Sequence, residues 1–243
     1  RKRGIMIDFY SLIKDTDAYL TVLNDKKKGT LSHAYLIVLP DEENLKEYLK
    51  VFAKLILCKG NSPCNNCRSC LLINDENYRD VLFFPEKDGD VKVADVNKLI
   101  EKSYFKPVEG DKKLFIVTSA HTMNAQAQNK LLKTLEEPPK HAIFILATTE
   151  PHKIPATILS RCMRFDFRLI PTEMIAGLIA DIYDEQGKTY ESEAVYALAK
   201  AGDGSIRDAL SVADIALSYG DGKLTYDDVM EILGSTNFEL MVE

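Results

Sequence analysis

The sequence predicts an α/β fold, a doubly wound parallel sheet followed by a small all-helical domain, and three observations carry that prediction. Leu114 to Val117 and Ala142 to Ala147 are short apolar runs rich in β-branched and aromatic residues, bounded by polar and Pro-containing segments. Such runs suit strands buried on both faces of a parallel sheet. Between them, Ala125 to Glu137 spaces Leu131, Leu132 and Leu135 at helical intervals, and Pro138-Pro139 stops the helix. That makes a βαβ unit. From Pro171 onward the pattern changes to helices only.

With 243 residues, 46% of them hydrophobic, the chain can hold one large α/β domain and a small one. Disordered and fibrous classes are excluded. A net charge of −6 and a pI near 5.4 argue against a protein that wraps nucleic acid by its own electrostatics. The apolar run after Arg1-Lys2-Arg3-Gly4 is broken by Asp8, so neither a signal peptide nor a membrane span is read there, and a cytoplasmic protein is the default.

In chain order, residues 7 to 24 carry helical spacing, and Lys26 to Lys28 read as a solvated turn. Ser32-His33 lead into a strand over Ala34 to Leu39, and Glu43 to Leu57 follows as a helix with Leu45, Leu49, Phe52, Ala53 and Leu57 in one stripe. The turn between them, Pro40-Asp41-Glu42-Glu43-Asn44, has no glycine, and its run of acids would repel a triphosphate. A P-loop would offer glycines, a lysine and a Ser/Thr there. The acids instead favour the dipole of the following helix. Asp80 to Phe84 reads as a strand and Val93 to Ser103 as a helix with Val96, Leu99 and Ile100 inward, giving at least four strands alternating with helices.

Following the helix that ends at Leu57 stand four of the five cysteines, Cys58-x5-Cys64-x2-Cys67-x2-Cys70. In a reducing compartment this spacing points to a structural zinc knuckle, with free or redox-active thiols as the other reading. All four tetrahedral positions would be filled by protein, leaving no place for a catalytic water. Cys162 is the odd one out.

Beyond the second strand of the βαβ unit the chain runs through Thr148-Thr149 and a short helical segment to Ser160-Arg161-Cys162. The carboxyl ends of strands are where ligands gather in an open α/β sheet, so Arg161 belongs to the functional edge. Past Pro171, Thr172 to Tyr183, Ser192 to Ala201, Ser205 to Tyr219 and Thr225 to Leu233 each open with a plausible cap, and Gly202, Gly220 and Gly234 are expected to close three of them.

The cysteine knuckle, the run Asn129-Lys130-Leu131-Leu132-Lys133-Thr134-Leu135-Glu136-Glu137-Pro138-Pro139, Leu146-Ala147-Thr148-Thr149 and Ser160-Arg161-Cys162 together resemble the bacterial DNA polymerase III clamp loader, an AAA+ family. The resemblance covers Phe9 to Gly234. It implies a P-loop NTPase-like (AAA+) domain over 1–170 with a zinc-binding insert at about 58–70, a helical lid over 171–234, and at 235–243 the start of a linker to a collar domain. In this family gamma/tau subunits are ATPases, whereas delta-prime keeps the fold and the Ser-Arg-Cys motif with defective nucleotide chemistry. The alignment places Leu45 where the phosphate-binding lysine stands, Lys46 where the Mg²⁺-binding hydroxyl stands, and Thr118-Ser119 on the Walker B acids.

The implied function is a non-hydrolysing delta-prime-like subunit that assembles with gamma/tau and delta and reaches the sliding clamp and primer-template DNA through the complex. It would bind structural Zn²⁺, would not hydrolyse ATP itself, and would supply Arg161 in trans to a neighbour's ATP site. The alternative is a gamma/tau-like ATPase with a divergent site. Thr148 and Thr149 take the sensor 1 place, and Arg207, in Ala201 to Ser211, resembles the gamma/tau sensor 2 arginine. On the residues alone, Arg161 pairs with Asp166 or Glu150, and Arg207 with Asp203 or Asp208.

Overall fold

The computed structural model describes residues 9–40, 44–60, 62–87, 89–218 and 222–239, the last five by backbone alone. It divides into two compact units, one ending at Arg168 and the other beginning at Leu169.

The first unit holds five parallel strands: β1 (Ala34–Val38), β2 (Val81–Phe84), β3 (Lys113–Val117), β4 (Ala142–Thr148) and β5 (Met163–Asp166), in spatial order β2-β3-β4-β1-β5. Every residue of β3 and β4 is buried, as continuous apolar runs in a sheet covered on both faces should be. The fifth strand is an addition to the expected four. Met-Arg-Phe-Asp alternates half-buried with exposed positions at the sheet edge, so it offers no apolar run to detect.

Around the sheet lie α1 (Phe9–Ile13), α2 (Asp17–Lys28), α3 (Leu45–Leu57), α4 (Arg68–Asn74), α5 (Val93–Ser103), α6 (Ala125–Glu136) and α7 (Ala156–Leu159). The single helix expected over 7–24 is two. Thr16 divides them: its Oγ1 donates to the Ile13 carbonyl at 2.7 Å and accepts the Tyr19 N–H at 3.3 Å, capping α2. Helix α2 then continues through Lys26–Lys28 to Gly29, whose φ of 73° ends it. The three lysines are therefore the last helical turn rather than a connecting turn, which suits the dipole at a helix C-terminus. Lys27 and Lys28 are exposed, but Lys26 is half-buried.

One core cluster joins Phe115, Val117, Phe144 and Leu146 of the central strands to Val96 and Leu99 of α5 and to Leu131 and Leu135 of α6. The aromatic rings of Phe115 and Phe144 stack with centroids 5.4 Å apart. Asp80, fully buried before β2, accepts the backbone N–H groups of Val108 at 2.9 Å and Glu109 at 2.6 Å, fixing the loop that leads into β3.

The second unit contains α8 (Thr172–Glu185), α9 (Ser192–Ala201), α10 (Ile206–Leu217) and α11 (Tyr226–Glu239). Ser205 Oγ accepts the Asp208 N–H at 3.2 Å, and Thr225 and Asp228 exchange both bonds of a capping box, at 3.2 and 2.8 Å. Thr172 and Ser192 do not cap; they are first helical residues behind Pro171 and Glu191. Gly202 follows α9 as expected, and a Cβ there would come within 2.6 Å of Ala209. Gly234 closes nothing, because α11 runs through it, and Gly220 lies outside the described residues. Among the described residues no helix is long and apolar enough to cross a membrane.

Candidate functional site

Four places follow from this scaffold: the two ends of α3, the carboxyl edge of the sheet, and the amino end of β5. At the start of α3, Leu45 is only 5% exposed and belongs to the core, while Lys46 points outward. Asp41, Glu42 and Glu43, which precede them, lie outside the described residues. Thr118 and Ser119 come directly after β3. The Thr118 hydroxyl and N–H both donate to the Phe84 carbonyl, at 3.3 and 2.9 Å, and the Ser119 side chain makes no capping bond. An ATP–Mg²⁺ site needs a cation on the phosphates and a carboxylate on the metal. Leu45 is buried and Thr118 and Ser119 are neutral, so among the described residues at these positions Lys46 carries the charge and none brings a carboxylate to a metal, a set that does not fit the group.

The last residue of β4, Thr148, is buried, and its Oγ1 accepts the Glu150 N–H at 3.0 Å and lies 3.1 Å from His121 Nδ1. Thr149 is half-buried beside it. Glu150 is taken by Lys153 at 2.7 Å, and that hydrogen bond holds its carboxyl below the usual range.

Arg161 follows α7. Its Nη1 donates to the Thr157 carbonyl at 2.6 Å and to Ser160 Oγ at 3.2 Å, and its Nη2 donates to Glu136 Oε1 at 2.7 Å. A third of the side chain stays exposed, at 33%. Neither expected acid is its partner. Asp166 is held by Arg164 through three short bonds and Glu150 by Lys153. Glu136, the last residue of α6, was missed because nothing in local spacing joins it to a residue 25 positions on. Cys162 is partly buried on the core cluster, and burial pushes its thiol up to about 12. In the second unit Arg207 sits exposed in the first turn of α10.

At the far end of α3 the four cysteines converge. Cys58 caps its C-terminus, Cys67 caps the N-terminus of α4, and Cys70 lies in the first turn of α4. All four sulfurs lie within 4.8 Å of one another, with Cys58 Sγ 3.6 Å from Cys64 Sγ and 3.8 Å from Cys67 Sγ. Four sulfurs about 2.3 Å from zinc in a tetrahedron stand about 3.8 Å apart. The donor set therefore fits a tetrahedral soft-metal site. Backbone N–H groups already point at sulfur, Gly60 to Cys58 and Cys67 to Cys64, both at 3.3 Å. Such donors favour the thiolate. The backbone N–H groups of Asn66 and Cys67 hold the exposed Cys64 thiol down at about 6, while burial pushes Cys70 up to about 12.

Residues 15–171 match the family described as DNA polymerase III, delta subunit, and residues 174–222 match the DNA polymerase III clamp loader subunit, ATPase lid domain. The chain belongs to the bacterial DNA polymerase III clamp-loader family. Among its relatives, DNA polymerase III subunit tau of Bacillus subtilis is 38% identical over 220 residues, covering 89% of this chain and 39% of that protein. The tau subunit of Escherichia coli is 32% identical over 230 residues, covering 93% and 36%. This clamp-loader chain thus spans about two fifths of the length of the curated relatives it matches.

Two solved structures share the fold. A gamma subunit-related protein of Thermotoga maritima superposes with a TM-score of 0.54 at 21% identity, over 81% of this chain and 57% of that one. The RuvB Holliday junction branch migration motor of the same organism does so with 0.59 at 18% identity, over 89% and 66%. These establish the P-loop NTPase-like architecture of the clamp-loader chain. The relatives are named tau and gamma, which favours kinship with those subunits over the delta-prime assignment that the sequence motifs suggest.

Proposed function

We propose that this chain is a clamp-loader subunit of tau/gamma kinship that has lost its own nucleotide chemistry and plays the delta-prime part. It lends Arg161 to the ATP site of a neighbouring gamma/tau subunit. The observation that carries this reading is a mismatch within one domain. The positions that would hold a nucleotide are a buried Leu45, Lys46 and the neutral pair Thr118-Ser119, while Ser160-Arg161-Cys162 stands just ahead of β5, at the amino edge of the parallel sheet, with its guanidinium partly open to solvent. A permanently charged planar guanidinium supplied from outside can meet phosphate oxygens and the charge they develop. With a leucine at the place of the phosphate-binding lysine and no carboxylate in the Thr118-Ser119 pair, these positions offer little to stabilise the charge of phosphoryl transfer.

In this reading residues 1–170 form the AAA+ domain and 171–234 its lid, and the four cysteines hold a structural zinc. The partners are gamma/tau and delta, with the sliding clamp and primer-template DNA met through the assembled loader in the cytoplasm. Thr148 closes its strand end, and Arg207 is an inherited arginine in new local use.

The test is Arg161→Ala in a reconstituted loader. The variant should fold as the parent does, and hydrolysis at the adjoining site should fall on the order of a thousandfold, the usual worth of an arginine given in trans. Unchanged DNA-dependent ATP hydrolysis would sink the proposal. The names of the relatives favour a second reading, a tau/gamma-like ATPase with a divergent site. Under it, the isolated chain binds and turns over ATP.

A further inference from the structure

Lys26 has no role in the reading above, yet it is among the most heavily engaged cations of the chain. From the last turn of α2 its Nζ donates to three carbonyl oxygens, those of Leu55 at 2.7 Å, Cys58 at 2.5 Å and Gly60 at 3.0 Å. All three belong to the C-terminal end of α3 and the turn that follows it, where Cys58 presents its sulfur. Leu55 lies in the last turn of α3, where carbonyls lose their helical partners and the negative end of the helix dipole gathers.

We propose that Lys26 is a positioning residue of the metal centre. By gripping the carbonyls of Cys58 and Gly60 it fixes the turn that aims the Gly60 N–H at Cys58 Sγ, and its ammonium supplies positive charge beside the four sulfurs. The inference rests on the zinc reading of the cysteine cluster. Four thiolates around Zn²⁺ carry a net charge of −2, so a cation held next to them lowers the cost of keeping all four deprotonated. Its chain neighbours Lys27 and Lys28 stand exposed, and Lys54 meets the knuckle at another point, donating to Asn65 Oδ1 at 3.0 Å. The result is a bond between α2 and the knuckle across some thirty residues of chain, in place of the solvated turn that the lysine run suggests.

The experiment compares zinc affinity of the parent chain, Lys26→Met and Lys26→Gln by competition with a chromogenic chelator, with Lys27→Met as control. Outer-shell groups of this kind are worth about 10–100-fold in metal affinity. Lys26→Met should lose at least about tenfold. Lys26→Gln, which keeps a donor without the charge, should recover the parental fold but not the affinity, and Lys27→Met should match the parent. The gain in melting temperature on adding zinc should shrink in Lys26→Met. If both Lys26 variants hold zinc as the parent does and melt lower by the same amount with and without metal, Lys26 is only a helix cap and the inference fails. A parent chain that takes up no zinc overturns the metal reading itself, a separate outcome read before any variant is made.

Discussion

Helix α3 begins with Leu45 in the core and is capped at its far end by Cys58 in a cluster of sulfurs, so one helix joins an apolar residue to a donor set that fits a metal. Its N-terminus has the dipole that favours anions, but Leu45 turns inward and brings no donor to that end. Its C-terminus has four convergent sulfurs, backbone N–H groups of Gly60, Cys67 and Cys70 aimed at them and a lysine gripping three carbonyls. A fold position alone does not make a binding site. The donor set and its support do, and among the described residues they converge at the C-terminal end of the helix.

Removing the metal end should give the largest effect. Cys58→Ser is expected to lower zinc content from about one ion per chain to nearly none, read by elemental analysis, because a tetrahedral site loses a quarter of its donors. Chelation of the parent should free Cys64 and Cys67 for maleimide labelling at about pH 8, while Cys70 and Cys162, both with thiols pushed up to about 12 by burial, stay unlabelled. Rapid labelling of Cys162 in the folded chain would contradict its burial. At the other end, Leu45→Ala should cost about 2–4 kcal/mol in urea unfolding without altering zinc content. A cost under about 0.5 kcal/mol would mean that Leu45 is not a core residue, and the comparison between the ends would collapse.

Smaller effects sharpen the comparison. Lys54→Met removes the bond from α3 to Asn65 in the knuckle and should cost about 1–2 kcal/mol in the same unfolding measurement, as hydrogen bonds to charged groups do. Glu136→Gln should change stability by less than about 1 kcal/mol, since the Arg161 pair is partly exposed. A larger loss would mark that pair as a structural tie rather than a parked arginine.

Much of this was legible in the residues. The apolar runs at 114–117 and 142–147 announce buried parallel strands, and the cysteine spacing announces a metal site, because each is a local pattern. What escaped notice is non-local or lacks contrast. β5 alternates polar with apolar at an edge, Glu136 meets Arg161 only through the packing of α6 on α7, and Lys26 looks like any basic helix end until α3 is placed beside it. Gly234 misled for the opposite reason: a glycine near a helix end reads as a stop, yet α11 carries it through to Glu239.

In the proposed function this chain presents an arginine to another subunit's nucleotide and holds none itself. Equilibrium titration of the isolated chain with labelled ATP and Mg²⁺ tests the second half most directly and separates the two readings of its function. The account predicts no saturable, Mg²⁺-dependent binding and no turnover. Tight binding followed by hydrolysis would contradict it and make the chain a tau/gamma-like ATPase.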